Sequence, residues 1–204
     1  MKPLTSASPH AIIMIGIPGA GKSTFAERFA ETFQAPIVSQ SKLERQYQVP
    51  PETAEALHDA IVSEYMKTHR TILIDGGFEA KEKREEMVRR LIKAGYRPLI
   101  VWVQTDTAEA QRRASKPYPR GSGMDDEMFE AELAQFSAPG EREKMVVVSG
   151  KHTYASQLKI VLKQLAIPDN SQPRIPKPAQ PTKTVGGTQS VAVRGSGRRG
   201  PLLR

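Results

Sequence analysis

The sequence predicts an α/β protein in which a parallel sheet is covered by helices on both faces. Three observations carry that expectation. Short aliphatic runs alternate with stretches whose apolar residues recur at helical spacing, the pattern of parallel strands joined by crossover helices. The first run passes directly into a glycine-rich segment that opens a helix. Hydrophobic residues make up 38% of the 204 but aromatics only 6%, so the core is aliphatic and suits strands buried on both sides. No internal repeat is visible.

Residues Ala11–Ile15 are the first strand, a compact apolar run closed by Gly16. From Lys22 onward, Phe25, Ala26, Phe29, Ala30 and Phe33 mark a helix. Pro36–Ser39 is a short second strand. Pro50, Pro51 and Glu52 open the next helix, since proline suits a first turn; its stripe is Ala54, Leu57, Ile61 and Tyr65. Thr71–Asp75 is the third strand, followed by Gly76 and Gly77. A helix from about Glu79 carries Met87, Val88, Leu91 and Ile92, with Gly95 placed to end it. Pro98–Val103 is the fourth strand and Thr107–Ser115 a short polar helix. Met145–Val148 is the fifth strand, and Tyr154, Leu158, Val161, Leu162 and Leu165 mark the last helix.

Composition removes whole classes of function. Cysteine is absent, which excludes disulfides, thiolate metal sites and cysteine nucleophiles. His10, His58, His69 and His152 stand far apart without ligand spacing, which argues against a zinc enzyme. No apolar run approaches the ~20 residues a membrane-spanning helix needs. Met1 to His10 carries one lysine and no apolar stretch, so no secretory signal is expected. The expectation is a monomeric cytoplasmic protein.

The net charge of +8 is concentrated at one end. Residues 168–204 hold Arg174, Lys177, Lys183, Arg194, Arg198, Arg199 and Arg204 against Asp169 alone, a net +6 that leaves +2 for the rest. The same segment holds six of the 16 prolines and five of the 15 glycines. It cannot bury enough apolar surface to offset its ordering entropy, so it reads as a disordered basic tail. Its charge suits a nucleic acid or an acidic partner; a solvated tail without a partner is the alternative. Residues 195–200 match G-x-G-x-x-G, but no strand precedes them and no helix follows, so no dinucleotide site is expected. The organisation is therefore a short extension (1–10), one domain (11–167) and the tail (168–204).

One motif carries chemistry. Gly16, Ile17, Pro18, Gly19, Ala20, Gly21, Lys22 and Ser23 fit G-x-x-x-x-G-K-[ST] between the first strand and the first helix. Glycines let the backbone wrap a phosphate chain, with N–H groups and the helix N-terminus pointing inward. Lys22 is placed to neutralise β- and γ-phosphate oxygens, Ser23 to hold Mg²⁺ and Thr24 to help at the α-phosphate. Asp75 ends a buried strand on the side where ligands bind such sheets, the position of a carboxylate that coordinates Mg²⁺. A capping or turn aspartate before Gly76 is the alternative.

A basic cluster then precedes an acidic helix. Residues 112–120 contain Arg112, Arg113, Lys116 and Arg120 without an acid, whereas Asp125–Phe136 carries five acids without a base. Cations on a mobile segment around 112–124 fit a lid that closes over ATP and stabilises the migrating charge, Arg113 and Arg120 foremost. A solvated loop before a helix whose acids suit its own dipole is the bland alternative.

Together, GIPGAGKST, TILID followed by a helix with Arg84, RRASK, and FSAPGEREKMVVVSG resemble the P-loop kinases of the polynucleotide-kinase and zeta-toxin type. Members of that group are often described only as ATP-binding AAA-domain proteins. The resemblance runs from about Ala11 to Leu165. It implies a three-layer P-loop NTPase fold with sheet order 2-3-1-4-5, ATP and Mg²⁺ as cofactors, and transfer to a hydroxyl of a small molecule, nucleotide or polynucleotide end.

The resemblance also implies an aspartate after the second strand that takes the proton from the acceptor. That position falls here on Ser41 or Lys42, neither a good base at neutral pH. Glu44 substitutes if the segment turns it inward. Three functional readings follow: a hydroxyl kinase, a regulatory ATPase or nucleotide-dependent binding module without an acceptor, and a toxin-like nucleotide-sugar kinase.

Overall fold

Six consecutive buried residues, His10–Ile15, form β1 at the centre of the sheet. A strand flanked on both faces has no solvent side, so apolar residues fill both parities. The structure is a computed structural model and describes residues 9–140 and 143–167. The expected tail lies outside those residues, as does all but the end of the extension. β1 begins at His10 because the Arg97 N–H donates to the Pro9 carbonyl at 2.8 Å.

The remaining elements are α1 (Lys22–Phe33), β2 (Ile37–Ser39), α2 (Gln40–Tyr47), α3 (Pro51–Lys67), β3 (Ile72–Asp75), α4 (Lys81–Lys93), β4 (Arg97–Gln104), α5 (Thr107–Ala114), α6 (Asp126–Gln135), β5 (Met145–Ser149) and α7 (Tyr154–Leu165). The strands are all parallel, in the order β2-β3-β1-β4-β5. This is the order the resemblance implies.

Two cores make the fold three layers. On one face, Phe25, Phe29 and Phe33 of α1 and Val161 and Leu165 of α7 pack on Ile12, Met14, Leu73 and Val101. On the other, Val62 of α3 and Met87 and Leu91 of α4 pack on Ala11, Ile13, Ile72 and Ile74. Among the described residues no helix is long and apolar enough to cross a membrane.

Two local features needed the structure. The stretch after β2 is the two-turn helix α2, which has no buried residue and no side-chain cap; Leu43 is the one residue it sets against the core under α3 and α4, too little to leave a periodic stripe to read. Pro98 lies inside β4, which has neighbours on both sides. The Arg97 N–H turns toward β1, so the Pro98 nitrogen faces the β5 side. β5 pairs only from Ile100 onward, so no ladder bond is lost there.

Candidate active site

The loop from Gly16 to Gly21 joins β1 to α1 at the carboxyl end of the sheet. Gly16 and Gly19 are required by close approach. A Cβ on Gly16 would lie 2.5 Å from the Val103 carbonyl oxygen, and one on Gly19 2.0 Å from that of Ala110. The loop is thereby seated on β4 and α5. Gly21, with φ 105°, starts α1 without a side-chain cap, so the first N–H groups of the helix stay available to an anion. Lys22 is half-buried. Its Nζ donates to the carbonyls of Gly16 at 2.7 Å and Ile17 at 3.1 Å, lying across the loop it would serve. Thr24 is exposed.

Asp75 is 2% exposed. Its Oδ2 accepts from Ser23 Oγ at 2.7 Å and from Ser39 Oγ at 3.1 Å, while Oδ1 is buried without a partner. The alternative of a helix cap does not hold: Ala80 caps α4, without a side-chain bond. A buried carboxylate oxygen lacking a donor, next to a serine hydroxyl at the head of a phosphate loop, fits a hard cation that takes its other ligands from phosphate and water. Among the described residues no group of three or more His, Asp and Glu could hold a metal alone.

Ser41 sits in the first turn of α2, its hydroxyl 3.4 Å from that of Ser39. Glu44, half-buried one turn on, accepts from Gln40 Nε2 at 3.4 Å. Two further carboxylates, not singled out from the sequence, share this space. The pKa of Glu132 on α6 is raised, first by the protein crowded around its carboxyl; Lys22 draws it back and Glu79 and Glu44 push it up again. Glu132 nevertheless remains exposed to water. Lys22, Glu79 and Glu44 thus each lie close enough to act on the Glu132 carboxyl.

The segment expected as a lid is tightly folded. Ala110 and Ala114 of α5 pack with Met124 and Phe129, and the turn folds back through Ser122 N–H and Met124 N–H onto the Ala114 carbonyl. Arg113 is committed: Nε donates to Glu109 at 2.7 Å and a terminal nitrogen to the Gly150 carbonyl at 3.0 Å. Arg120 is exposed and, among the described residues, its guanidinium has no ion pair. Arg45 of α2 lies over the ring of Tyr118, 4.9 Å from its centre, so this segment and α2 touch.

Behind the site, Arg84 is fully buried in an ion pair with Glu143, at 2.8 and 3.1 Å. It also donates to the carbonyls of Phe78 at 3.1 Å and Glu79 at 3.0 Å. Ser137 N–H and hydroxyl both donate to the Glu79 carbonyl, and Phe136 packs against Trp102. The helix with Arg84 and the Phe136–Glu143 stretch, read separately in the sequence, are one interlock that fixes the segment after Asp75. A cavity of about 470 Å³ adjoins the loop at Ile17, between Trp102, Thr105, Phe136 and Lys151. Its walls exclude Lys22, Ser23 and Asp75, so it neighbours the phosphate site without being it.

Residues 12–139 match the family model described as AAA domain. The chain belongs to that AAA-domain family. Solved structures with the same fold include a gluconokinase from Sinorhizobium meliloti 1021, 16% identical over 78% of this chain and 92% of that one, with a TM-score of 0.55. A putative kinase from Chloroflexus aurantiacus is 14% identical over 78% and 96%, with a TM-score of 0.63. The Mycobacterium tuberculosis APS kinase, solved with AMPPNP and APS, is 14% identical over 78% and 99%, with a TM-score of 0.61. No curated protein matches the sequence. Identities this low show the fold alone, and that fold is the P-loop kinase-like one.

Proposed function

We propose that the chain is an ATP-dependent phosphotransferase that moves the γ-phosphate of ATP to a hydroxyl. The observation that carries this reading is the 2.7 Å contact of Ser23 with Asp75 beside the unpartnered Oδ1. Ser23 and Asp75 would hold Mg²⁺, which when bound neutralises charge on the donor phosphates. Backbone N–H groups from Gly16 to Thr24 cradle those phosphates, and Lys22 exchanges the carbonyls of Gly16 and Ile17 for phosphate oxygens. Glu44 takes the acceptor proton, since Ser41 cannot hold one at neutral pH. Arg120 is free to bring charge to the transferring group, whereas Arg113 does so only by giving up Glu109. The kinase names of the structures with this fold support phosphotransfer; neither named acceptor is carried over.

A second reading, a regulatory ATPase or nucleotide-dependent binding module, is favoured by Ser41 at the base position. Incubation with γ-labelled ATP, Mg²⁺ and a panel including sugars, a 5′-hydroxyl oligonucleotide and a nucleotide sugar separates the two. Label on an acceptor supports the phosphotransferase and identifies whether the polynucleotide-kinase or nucleotide-sugar branch applies. Label released only as inorganic phosphate supports the ATPase, and label left on ATP supports the binding module.

A further inference from the structure

A serine immediately before a helix ordinarily turns its hydroxyl to the free N–H groups of the first turn. Ser39 stands at that position ahead of α2, in extended backbone, and makes no such bond. Its Oγ donates instead to Asp75 Oδ2 at 3.1 Å. Both residues are buried, Ser39 at 4% exposure and Asp75 at 2%. The hydroxyl is diverted from the helix to the carboxylate.

The sheet fixes this pairing. β2 and β3 run parallel with Ser39 opposite Asp75, while the β1 residue opposite Asp75 is the apolar Met14. Of its two neighbours across the strands, only Ser39 can donate to the carboxylate. The second donor, Ser23 Oγ at 2.7 Å, comes from the first turn of α1, beside the phosphate loop. Both bonds end on Oδ2, and Oδ1 is buried without a partner.

The terminal torsion of an aspartate is broad and roughly two-fold, so a carboxylate held by one donor can turn its oxygens out of line with a cation. Two donors on one oxygen restrain that rotation and leave the other oxygen to a hard cation. The two serines divide the work. Ser23 is itself a candidate Mg²⁺ ligand, whereas Ser39 has its single proton committed to Asp75 and its oxygen 3.4 Å from Ser41 Oγ.

We propose that Ser39 is a positioning residue for Mg²⁺, its hydroxyl holding Asp75 Oδ2 so that Oδ1 is left to the cation. This rests on the assignment of Mg²⁺ to Ser23 and Asp75 in the phosphotransferase reading, and adds the group that orients the carboxylate.

The test measures Mn²⁺ binding, by electron paramagnetic resonance, to the full chain with one equivalent of a non-hydrolysable ATP analogue. Threonine and valine share one shape and differ by the hydroxyl, and both suit a strand, so Ser39→Thr is compared with Ser39→Val. Ser39→Val should bind Mn²⁺ about tenfold more weakly than Ser39→Thr, the lower end of the effect of removing a group that supports a metal ligand. Ser39→Ala should fall below wild type by a similar factor of about ten. Affinity for the analogue without metal should stay level across the series, which a merely structural fault would not allow, and α2 has no side-chain cap bond to lose. Equal Mn²⁺ affinity in Ser39→Thr and Ser39→Val, or in wild type and Ser39→Ala where Ser39→Val does not fold, overturns this inference and leaves the phosphotransferase standing. So does a loss of metal-free analogue binding as large as the loss of Mn²⁺ affinity. A wild-type complex that binds Mn²⁺ no more tightly than the analogue alone overturns the metal assignment at Ser23 and Asp75, and the inference with it.

Discussion

Ser41 places a hydroxyl at the first turn of α2, where transfer to an acceptor calls for a group that can hold a proton. A general base contributes roughly 10²–10⁴-fold in rate, so the natural chain should turn over its acceptor slowly. If Glu44 is the base, Glu44→Gln should cut transfer by about 10²-fold or more and Ser41→Asp should change little. If the first turn is the base position, Ser41→Asp should speed transfer instead. Steady-state transfer rates at saturating ATP decide between them, and unchanged rates in both variants would remove both assignments. At this scale much of the site was legible. Gly16 to Ser23 and Asp75 are contiguous or strand-ending residues, and a loop that must wrap phosphate needs its glycines at fixed intervals. The influence of Lys22, Glu79 and Glu44 on Glu132 was not legible, because it depends on residues far apart in the chain coming together. In the sequence Glu132 is one acid among many on a polar helix.

At the scale of elements, the interlock of Arg84 with Glu143 joins α4 to the segment leading into β5. Breaking one partner leaves a buried charge alone, which typically costs about 3–5 kcal/mol. Glu143→Gln should therefore lower Tm by roughly 10 °C in calorimetry, whereas Arg84→Met with Glu143→Leu should cost less. A change within a degree or two for Glu143→Gln would show that the pair contributes little. Burial pushes the Glu143 carboxyl up, but the Arg84 guanidinium and the Gly140 N–H more than reverse this and hold it below its ordinary value of 4.5. A carboxyl depressed on folding stabilises the native state above its unfolded pKa, and that stabilisation fades as pH falls through the folded value. Wild-type Tm should accordingly fall more steeply below about pH 4.5 than that of Glu143→Gln. A parallel decline of the two would contradict the assignment. Helices with an apolar stripe were readable from spacing, as Phe25, Phe29 and Phe33 illustrate. The short α2, which sets only Leu43 against the core, was not, nor was the pairing of Arg84 with a residue 59 positions away.

For the whole molecule, strand–helix alternation predicted the parallel sheet, and the loop motif together with the resemblance supplied its order. The basic segment 168–204 lies outside the described residues, and its composition alone bears on it. Deleting it should leave Tm within about two degrees, because so polar a segment buries little apolar area. A fall of many degrees would mean that it contributes to the folded domain. The account stands or falls on magnesium-dependent phosphotransfer at Lys22, Ser23 and Asp75. Its most direct test compares acceptor-dependent ADP release from Mg²⁺-ATP by wild type, Lys22→Ala and Asp75→Asn, with Tm measured alongside. Lys22 loses only its two bonds to the loop carbonyls, about 1 kcal/mol each, so that variant should stay folded while its turnover falls about 10²–10³-fold, and Asp75→Asn should lose a similar factor. Turnover at the wild-type rate in either folded variant would contradict the account.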